Sequence, residues 1–202
     1  MTVPELIRTK RAVRQFTNEP LSEEAIRTIL NAGRRAQSSK NTQPWHFIAI
    51  GDRATLQQLA QCGAYAGHLA GAPFAIALIS SVADGFDLGQ AAANMQLAAW
   101  ELGIGSCIAS MHEPEKAKAI LGVPQELHFD VALSFGYPLH SHEQPQAAKP
   151  GGRKPFDEVV FWERWANTAS VEKSVCESNP LQEPNLLNDC ILVMICRPTT
   201  VI

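Results

Sequence analysis

The spacing of apolar and polar positions along the chain predicts helices and strands in alternation. Helices are predicted after the capping residues Thr2, Ser22 and Asp52, from Asp87 to Leu102 and from Glu113 to Leu121. Strands are predicted at 47–50, which is expected to be buried, and at 73–81, 106–110 and 129–136. This order predicts a layered α/β or α+β domain with about four strands in its main sheet.

The strand at 73–81 and the helix from Asp87 to Leu102 indicate where the core lies. The strand is apolar throughout, so both of its faces are expected to be covered. The helix carries a wide apolar face, formed by Leu88, Ala91, Ala92, Met95, Ala98, Ala99 and Leu102. Its many alanines allow another backbone to approach closely, which predicts a central or interface helix.

The composition changes toward the C-terminus. Residues 140–152 are rich in Pro, Gln, His, Ser and Gly, which predicts a surface loop, and Phe156 to Trp165 has the pattern of a docked helix. We therefore divide the chain into a domain at 1–165 and a C-terminal extension at 166–202. The extension contains an apolar run from Cys190 to Cys196 that is unsuited to water. An added strand, an arm over a partner and a sequence foreign to the domain all stay open as explanations.

Composition and charge exclude several classes of protein. The 202 residues are 46% hydrophobic and 18% charged, with a net charge of −3, so no basic field favours nucleic acid or an anionic membrane. No segment has the pattern of a signal peptide and no apolar run approaches a bilayer span, so a cytoplasmic location is expected. Five cysteines without a Cys-x-x-Cys pair predict neither a disulfide framework nor a zinc site.

Three polar stretches together match the shape of one ligand. Lys10 to Phe16 and Gly151 to Pro155 are small basic clusters at opposite ends of the main body, and Ser38 to Trp45 offers hydroxyl, amide and backbone hydrogen bonds. Flavin mononucleotide (FMN) has a phosphate at one end and a polar ring at the other, which these stretches suit. The alternative is a solvated cationic helix end, since four cations fall within two predicted turns: Arg8, Lys10, Arg11 and Arg14.

Two weaker motifs favour ordinary structural roles. His140 and His142 have a spacing that a metal could use, but no further ligand is evident, so an exposed loop and no metal site are expected. Cys107 lacks a recognisable His and Asn partner, so a packed thiol is favoured over a nucleophile. The sequence has no Gly-x-Gly-x-x-Gly or Walker pattern, so a nicotinamide nucleotide would have no Rossmann domain of its own.

Several motifs, in their order, resemble the FMN-dependent nitroreductase family over residues 3–165. They are Lys-Arg-Ala-Val-Arg-Gln-Phe at 10–16, Ser-Ser-Lys-Asn-Thr-Gln-Pro-Trp at 38–45, Asp-Leu-Gly-x-Ala-Ala-x-Asn-Met from Asp87 with its Leu-Gly-Ile-Gly-Ser-Cys ending, Phe-Gly-Tyr-Pro ending at Pro138, and Gly-Arg-Lys-Pro ending at Pro155. The resemblance implies an α+β, nitroreductase-like fold with a mixed central β-sheet flanked by helices. It also implies an intertwined homodimer with two FMN sites at the subunit interface, in which the C-terminal extension could join the partner's sheet.

The resemblance further implies which cations bind FMN. Lys10 and Arg11 are expected at the phosphate, joined by Arg153 from the far end of the domain, because guanidinium groups match phosphate oxygens geometrically. Arg14 is expected at the N1 and O2 edge of the flavin. Ala12 stands where the family usually has a serine, so one hydroxyl contact is missing.

Two further segments are implied at the flavin ring. Ribityl and ring contacts are expected from the other subunit, through Ser38, Ser39, Asn41 and Gln43. The family often has Pro and Gly where this chain has Gln37 and Lys40, so the mouth of the site is expected to differ. Backbone groups along the isoalloxazine near N5 are expected from Cys107, Ile108, Ala109 and Ser110.

The activity implied by the resemblance is an oxidoreductase reaction. NAD(P)H is expected to stack on the flavin, give a hydride to N5 and leave, after which a nitroaromatic or quinone acceptor takes the electrons in a ping-pong cycle. No side chain is assigned a catalytic role, because solvent can protonate the product. Two alternatives stay open: a family relative acting as a dehydrogenase or flavin-modifying enzyme, and a non-enzymatic flavin-binding protein.

Overall fold

A four-stranded sheet forms the centre of the fold. The structure, a computed structural model, describes residues 1–83, 85–140 and 153–165, and it divides into two units, Met1–Gly152 and Arg153–Ile202. In the first unit the strands are β1 (Trp45–Ile50), β2 (Phe74–Ser80), β3 (Gly105–Ser110) and β4 (His128–Gly136), in the spatial order β1-β2-β4-β3. The three strand pairs are antiparallel, and an isolated parallel bridge joins Ala12 to Ser106 beside β3. The predicted α+β class is confirmed.

Helices cover both faces of this sheet. They are α1 (Val3–Thr9), α2 (Glu23–Arg34), α3 (Arg53–Leu59), α4 (Phe86–Glu101) and α5 (Pro114–Leu121). On one face α2 and α4 enclose a core that includes Ile29, Met95 and Leu133. On the other face α3 and α5 enclose a second core that includes Leu56 and Phe129. All seven residues of β2 are buried between the two cores, as its apolar sequence predicts.

The predicted helix ends are set by local hydrogen bonds. The Ser22 hydroxyl accepts from the Ala25 amide at 3.1 Å, and the Asp52 carboxylate accepts from the Thr55 amide at 2.8 Å. Gly122 ends α5 in the left-handed conformation, with φ of 65°, which glycine adopts without steric cost.

Two predictions about burial are wrong. The strand at 47–50 was expected to be buried, but β1 lies at an edge of the sheet and only its end residues, Trp45 and Ile50, are buried. Leu102 was placed on the apolar face of α4, but it follows the last helical residue and is 44% exposed. Trp100 is buried in its place, because its indole donates to the Thr9 hydroxyl at 3.1 Å and packs under α1.

The basic cluster does not form the cationic helix end that was the alternative to a ligand site, because only Arg8 of its four cations lies in α1. α1 ends at Thr9, and the chain then runs extended, so that Ala12 pairs with Ser106. The Arg11 guanidinium donates to the carbonyls of Arg8 and Thr9, at 3.0 Å each, and satisfies carbonyl groups at the end of α1.

The second unit contains a shorter helix than predicted. α6 (Phe156–Val159) ends well before Trp165, and Glu163 has a φ of 62° that is incompatible with helix continuation. Phe156 and Trp162 contact each other at 6.5 Å between ring centroids, but both side chains are largely exposed. The predicted loop beyond His140 and the extension at 166–202 lie outside the described residues. Within the described ranges, no helix is long and apolar enough to cross a membrane.

Candidate active site

One edge of the sheet exposes a short stretch of β3 backbone. Met111 donates to the Asp130 carbonyl, so the odd-numbered residues of β3 are bonded to β4. The even-numbered residues therefore point their amides and carbonyls to the free edge, and Val13 indeed donates to the Ser106 carbonyl there at 3.0 Å. At the other end of β3, the backbone of Gly63 packs directly against the Ser110 carbonyl. Between these two covered positions lies Ile108, and we call its free backbone edge the Ile108 window.

Two cations flank this window. Because Ala12 and Val13 run beside Ser106, the side chains of Lys10 and Arg14 come close to Cys107. Burial raises the pKa of the Cys107 thiol, whereas the charges of Arg14 and Lys10 act in the opposite direction. The thiol is buried, as predicted for a packed cysteine, and it stays protonated at neutral pH. Close approach of the two segments requires glycine at 105, since a Cβ there would lie 2.6 Å from the Val13 Cβ.

An apolar cavity opens beside the window. It has a volume of about 270 Å³ and lies between α4 and the sheet, where Ile108, Val131, Leu88 and Ala92 line it. Gln96 also lines the cavity, and its amide oxygen accepts from the Lys10 ammonium at 3.3 Å. The 51% exposure of the Ile108 side chain follows from this position. The site therefore combines apolar walls, a backbone edge and nearby positive charge.

The polar loop at 38–45 is held in a strained conformation. Lys40, Asn41 and Gln43 have φ of 50°, 56° and 49°, in the left-handed region that favours glycine. The Ser38 hydroxyl accepts from the Gln43 amide at 3.0 Å, and the Ser39 amide donates to the Asp87 carboxylate at 3.0 Å. These bonds, together with the buried Trp45, fix the loop at the start of α4. Backbone strain of this kind is typical of binding loops.

The loop and the cations lie at different ends of α4 within one chain. The loop is bonded to Asp87, and Lys10 is bonded to Gln96, nine residues further along the helix. At 1.5 Å per residue, this separation is about 13 Å. Within one chain the two predicted halves of the FMN site are thus anchored about 13 Å apart along α4.

A model of the Nitroreductase family matches the chain at residues 7–65 and 62–137, which together span more than half of its length. The chain belongs to this family. A protein of Archaeoglobus fulgidus named as a candidate NADH dehydrogenase/NAD(P)H nitroreductase is 33% identical over 66% of this chain and 83% of its own length. A 5,6-dimethylbenzimidazole synthase of Rhodospirillum rubrum is 28% identical over 76% of this chain and 91% of its own.

Solved structures have the same fold. An FMN-dependent nitroreductase of Clostridium difficile R20291 superposes with a TM-score of 0.71 at 25% identity, over 81% of this chain and 100% of the other. The predicted family is thus confirmed, and the chain is an oxidoreductase of the nitroreductase type.

The other predicted nitroreductase residues have mixed outcomes. Ala12 takes part in the bridge that brings the cations to β3, and Arg11 binds the end of α1. Arg153 lies exposed in the second unit, so its contact with a phosphate remains a prediction. His140 Nε2 lies 2.6 Å from the Gln15 amide oxygen, and the described residues contain no group of side chains that could hold a metal ion.

Sequence reasoning missed three buried polar residues. Gln96 lies among the apolar residues of α4, and its position next to Met95 on the buried face could have indicated a polar partner. His68 and Ser134 lie under β3, with His68 Nδ1 2.8 Å from Ser134 Oγ. Nothing in the local pattern marks these two, because their contact joins residues 66 positions apart.

Proposed function

We propose that this nitroreductase family member binds FMN at the Ile108 window and uses NAD(P)H to reduce nitroaromatic or quinone-type acceptors. The observation that carries the proposal is the window itself: an uncovered strand edge near Lys10 and Arg14, beside an apolar cavity of about 270 Å³. A flat ring with polar edges requires such a combination of apolar surface, hydrogen-bonding backbone and positive charge. The FMN-dependent relative with the same fold supports this choice of cofactor.

The residues present fit this cofactor. Ile108 offers its amide to the ring edge, and its carbonyl accepts from the Cys107 thiol at 3.6 Å. Ser106 and Ser110 on either side are already covered by Val13 and Gly63. Lys10, Arg11 and Arg153 would hold the phosphate, and Arg14 would lie at the N1 and O2 edge. When bound, FMN supplies the ability to take a hydride from NAD(P)H at N5 and to pass the electrons to an acceptor.

The protein's own contribution is orientation and charge. The Arg14 guanidinium favours negative charge at the site, and an adjacent cation is the usual way to favour the reduced state of a bound cofactor. Gln96 holds Lys10 through a bond to its ammonium, so this cation is directed along the cavity rather than into bulk water. Apolar walls around Ile108 exclude water from one side of the site.

The complete site requires a second copy of the chain. The strained loop at 38–45 and Lys10 are anchored about 13 Å apart along α4, and two such helices running antiparallel across an interface would bring the loop of one subunit to the cations of the other. The exposed side of α4 has small residues at Gly89 and Ala93, which permit close approach of a partner helix. We therefore infer a homodimer with Ser38, Ser39, Asn41 and Gln43 of one subunit facing Lys10 and Arg14 of the other.

A flavin-modifying reaction is the second candidate. It is favoured by the similarity to the 5,6-dimethylbenzimidazole synthase of Rhodospirillum rubrum, which is 28% identical to this chain. In this chain, however, the stretch between Gly63 and Pro73 holds only a short 3₁₀ turn, Gly67–Leu69, and leaves little chain for a lid over the ring. The acceptor-reducing reaction therefore remains our preferred assignment.

Anaerobic stopped-flow spectroscopy of the FMN-loaded protein distinguishes the candidates. NADH or NADPH is expected to bleach the visible flavin absorption, and a nitroaromatic or a quinone is expected to restore it without oxygen. A flavin that bleaches but is then consumed when oxygen is admitted would favour the flavin-modifying reaction. A flavin that neither nucleotide bleaches would contradict the proposed activity and favour a non-enzymatic binding protein.

A further inference from the structure

A buried polar pair lies beneath the Ile108 window, on the opposite face of the sheet from α4. His68, in the 3₁₀ turn Gly67–Leu69, is 9% exposed, and its Nδ1 lies 2.8 Å from the hydroxyl of the fully buried Ser134. Ser134 stands opposite Cys107 in the β3–β4 ladder, and its hydroxyl lies 3.4 Å from the Cys107 carbonyl oxygen. The imidazole is thus connected to both strands at the rung next to Ile108.

The surroundings of His68 are otherwise apolar. Leu69, Ala109 and Ala132 belong to the same core, so a leucine or methionine could fill this volume without a desolvation cost. Burial lowers the pKa of His68, the Ile108 backbone acts to raise it and the positive charge of Arg14 lowers it further. The ring is therefore neutral at neutral pH and offers one donor and one acceptor nitrogen.

Only one of these two nitrogens has a partner. Nδ1 is bonded to Ser134, whereas Nε2 is fully buried and makes no hydrogen bond with any residue that the structure describes. The Ser134 hydroxyl that carries this bond lies 3.4 Å from the carbonyl of Cys107, the residue before Ile108, which is the position of β3 left uncovered by Val13 and Gly63. A buried polar atom without a partner is costly, and its retention next to a functional edge suggests a role there.

We propose that His68 is a positioning residue for the Ile108 window, holding β3 from behind through Ser134, whose hydroxyl reaches the carbonyl of Cys107, the residue before Ile108. This inference rests on the proposed binding of FMN at the window. A backbone edge that must meet a rigid ring needs support from packed and hydrogen-bonded neighbours, since small displacements weaken the contact. His68 touches neither the ring nor the substrate, and it acts only through the strand.

Three substitutions of His68 distinguish the contributions of its two ring nitrogens. His68→Leu removes both, His68→Asn keeps a polar atom near the position of Nδ1, and His68→Gln keeps one near the position of Nε2. Leu59→Val is the matched control, because Leu59 is fully buried in the same core and the change destabilises the protein without altering a polar contact. FMN affinity and the midpoint potential of the bound flavin are measured for each protein, together with its thermal stability.

The expected result is a selective effect on the flavin. His68→Leu is expected to weaken FMN binding at least about fivefold and to shift the midpoint potential, whereas Leu59→Val with a similar loss of thermal stability does neither. His68→Asn, which keeps a partner for Ser134, is expected to bind within about twofold of the wild type, and His68→Gln to resemble His68→Leu. Should His68→Leu not fold, the contrast between the Asn and Gln variants decides the question.

Two results would overturn the inference in different ways. Wild-type affinity and potential in His68→Leu, or the same change in Leu59→Val, would show that His68 only fills the core, and the proposed function would be unaffected. A wild-type protein that does not bind FMN at all would overturn both the proposed function and this inference.

Discussion

At the scale of single residues, strain in the polar loop has a measurable consequence. Lys40 has a φ of 50°, a conformation that costs a non-glycine residue about 1–2 kcal/mol. Glycine removes this cost but adds about 0.5–1 kcal/mol of backbone entropy to the unfolded chain. Lys40→Gly is therefore expected to raise the free energy of unfolding by about 0.5–1 kcal/mol, as measured by denaturant titration.

Ser39→Gly is the matched control for this prediction. Ser39 is the adjacent exposed residue and is not among the residues with positive φ, so glycine there brings only the entropic cost. The control is expected to lower the free energy of unfolding slightly. Equal effects of the two substitutions would contradict the assignment of strain to Lys40.

His68 predicts a dependence of stability on pH. Burial holds its pKa in the folded protein below the ordinary value of 6.5, so the unfolded chain binds a proton that the folded protein does not. The free energy of unfolding therefore falls as the pH drops below about 6.5, and it continues to fall until the folded pKa is reached. Above that range both states are neutral at this position and His68 contributes no pH dependence.

His68→Gln removes this titration and serves as the comparison. The difference in unfolding free energy between wild type and variant is expected to be constant above about pH 7 and to shift in favour of the variant as the solution is acidified. Denaturant titrations at a series of pH values measure it. Parallel curves for the two proteins would mean that His68 is not a buried neutral imidazole.

At the scale of elements, the position of β3 depends on a glycine outside it. Gly63 packs against the Ser110 carbonyl so closely that a Cβ at this position would collide with backbone atoms. Gly63→Ala is expected to lower the free energy of unfolding by about 1–3 kcal/mol, since backbone on both sides must move. Gly67→Ala, in the following turn, meets nothing within 4 Å and is expected to have little effect. Equal stabilities of the two variants would contradict this packing.

Local sequence predicts that most of these helices and strands form, but not where each one ends or how exposed it is. Caps such as Ser22 and Asp52 and the apolar periodicity of α4 act within a few residues, so the helices and all four strands are predictable. The end of α1 at Thr9 depends on a bridge to Ser106, almost a hundred positions away, and no local pattern encodes it. The partial exposure of β1 likewise follows from its place at the edge of the sheet.

The residues of the candidate site were likewise only partly predictable from the sequence. Lys10, Arg14 and the strand at 107–110 were predicted to lie together, and the structure places Lys10 and Arg14 close to Cys107. Gln96 and His68 were missed, because a buried polar residue acquires its role from tertiary neighbours rather than from its own segment. Ile108 is singled out within its strand only once the pairing with β4 fixes which amides face the free edge.

At the scale of the whole molecule, cations from distant parts of the chain are proposed to bind one phosphate. Charge-assisted hydrogen bonds contribute roughly 1.5–3 kcal/mol each, so Lys10→Ala combined with Arg153→Ala is expected to weaken FMN binding at least about tenfold. Arg8→Ala combined with Lys154→Ala removes the same charge from neighbouring exposed positions, where Lys154 pairs with Glu158 at 3.0 Å. Fluorescence titration of FMN measures both variants, and equal affinities would argue against the assigned phosphate contacts.

The central claim is that FMN is bound where two copies of this chain meet. Analytical ultracentrifugation of the FMN-loaded protein, followed in the visible absorption band of the flavin, tests it most directly. We predict that the flavin sediments with a species of twice the 22.0 kDa chain mass, at one FMN per chain. Flavin that sediments as free FMN, or with a single chain, would contradict the account.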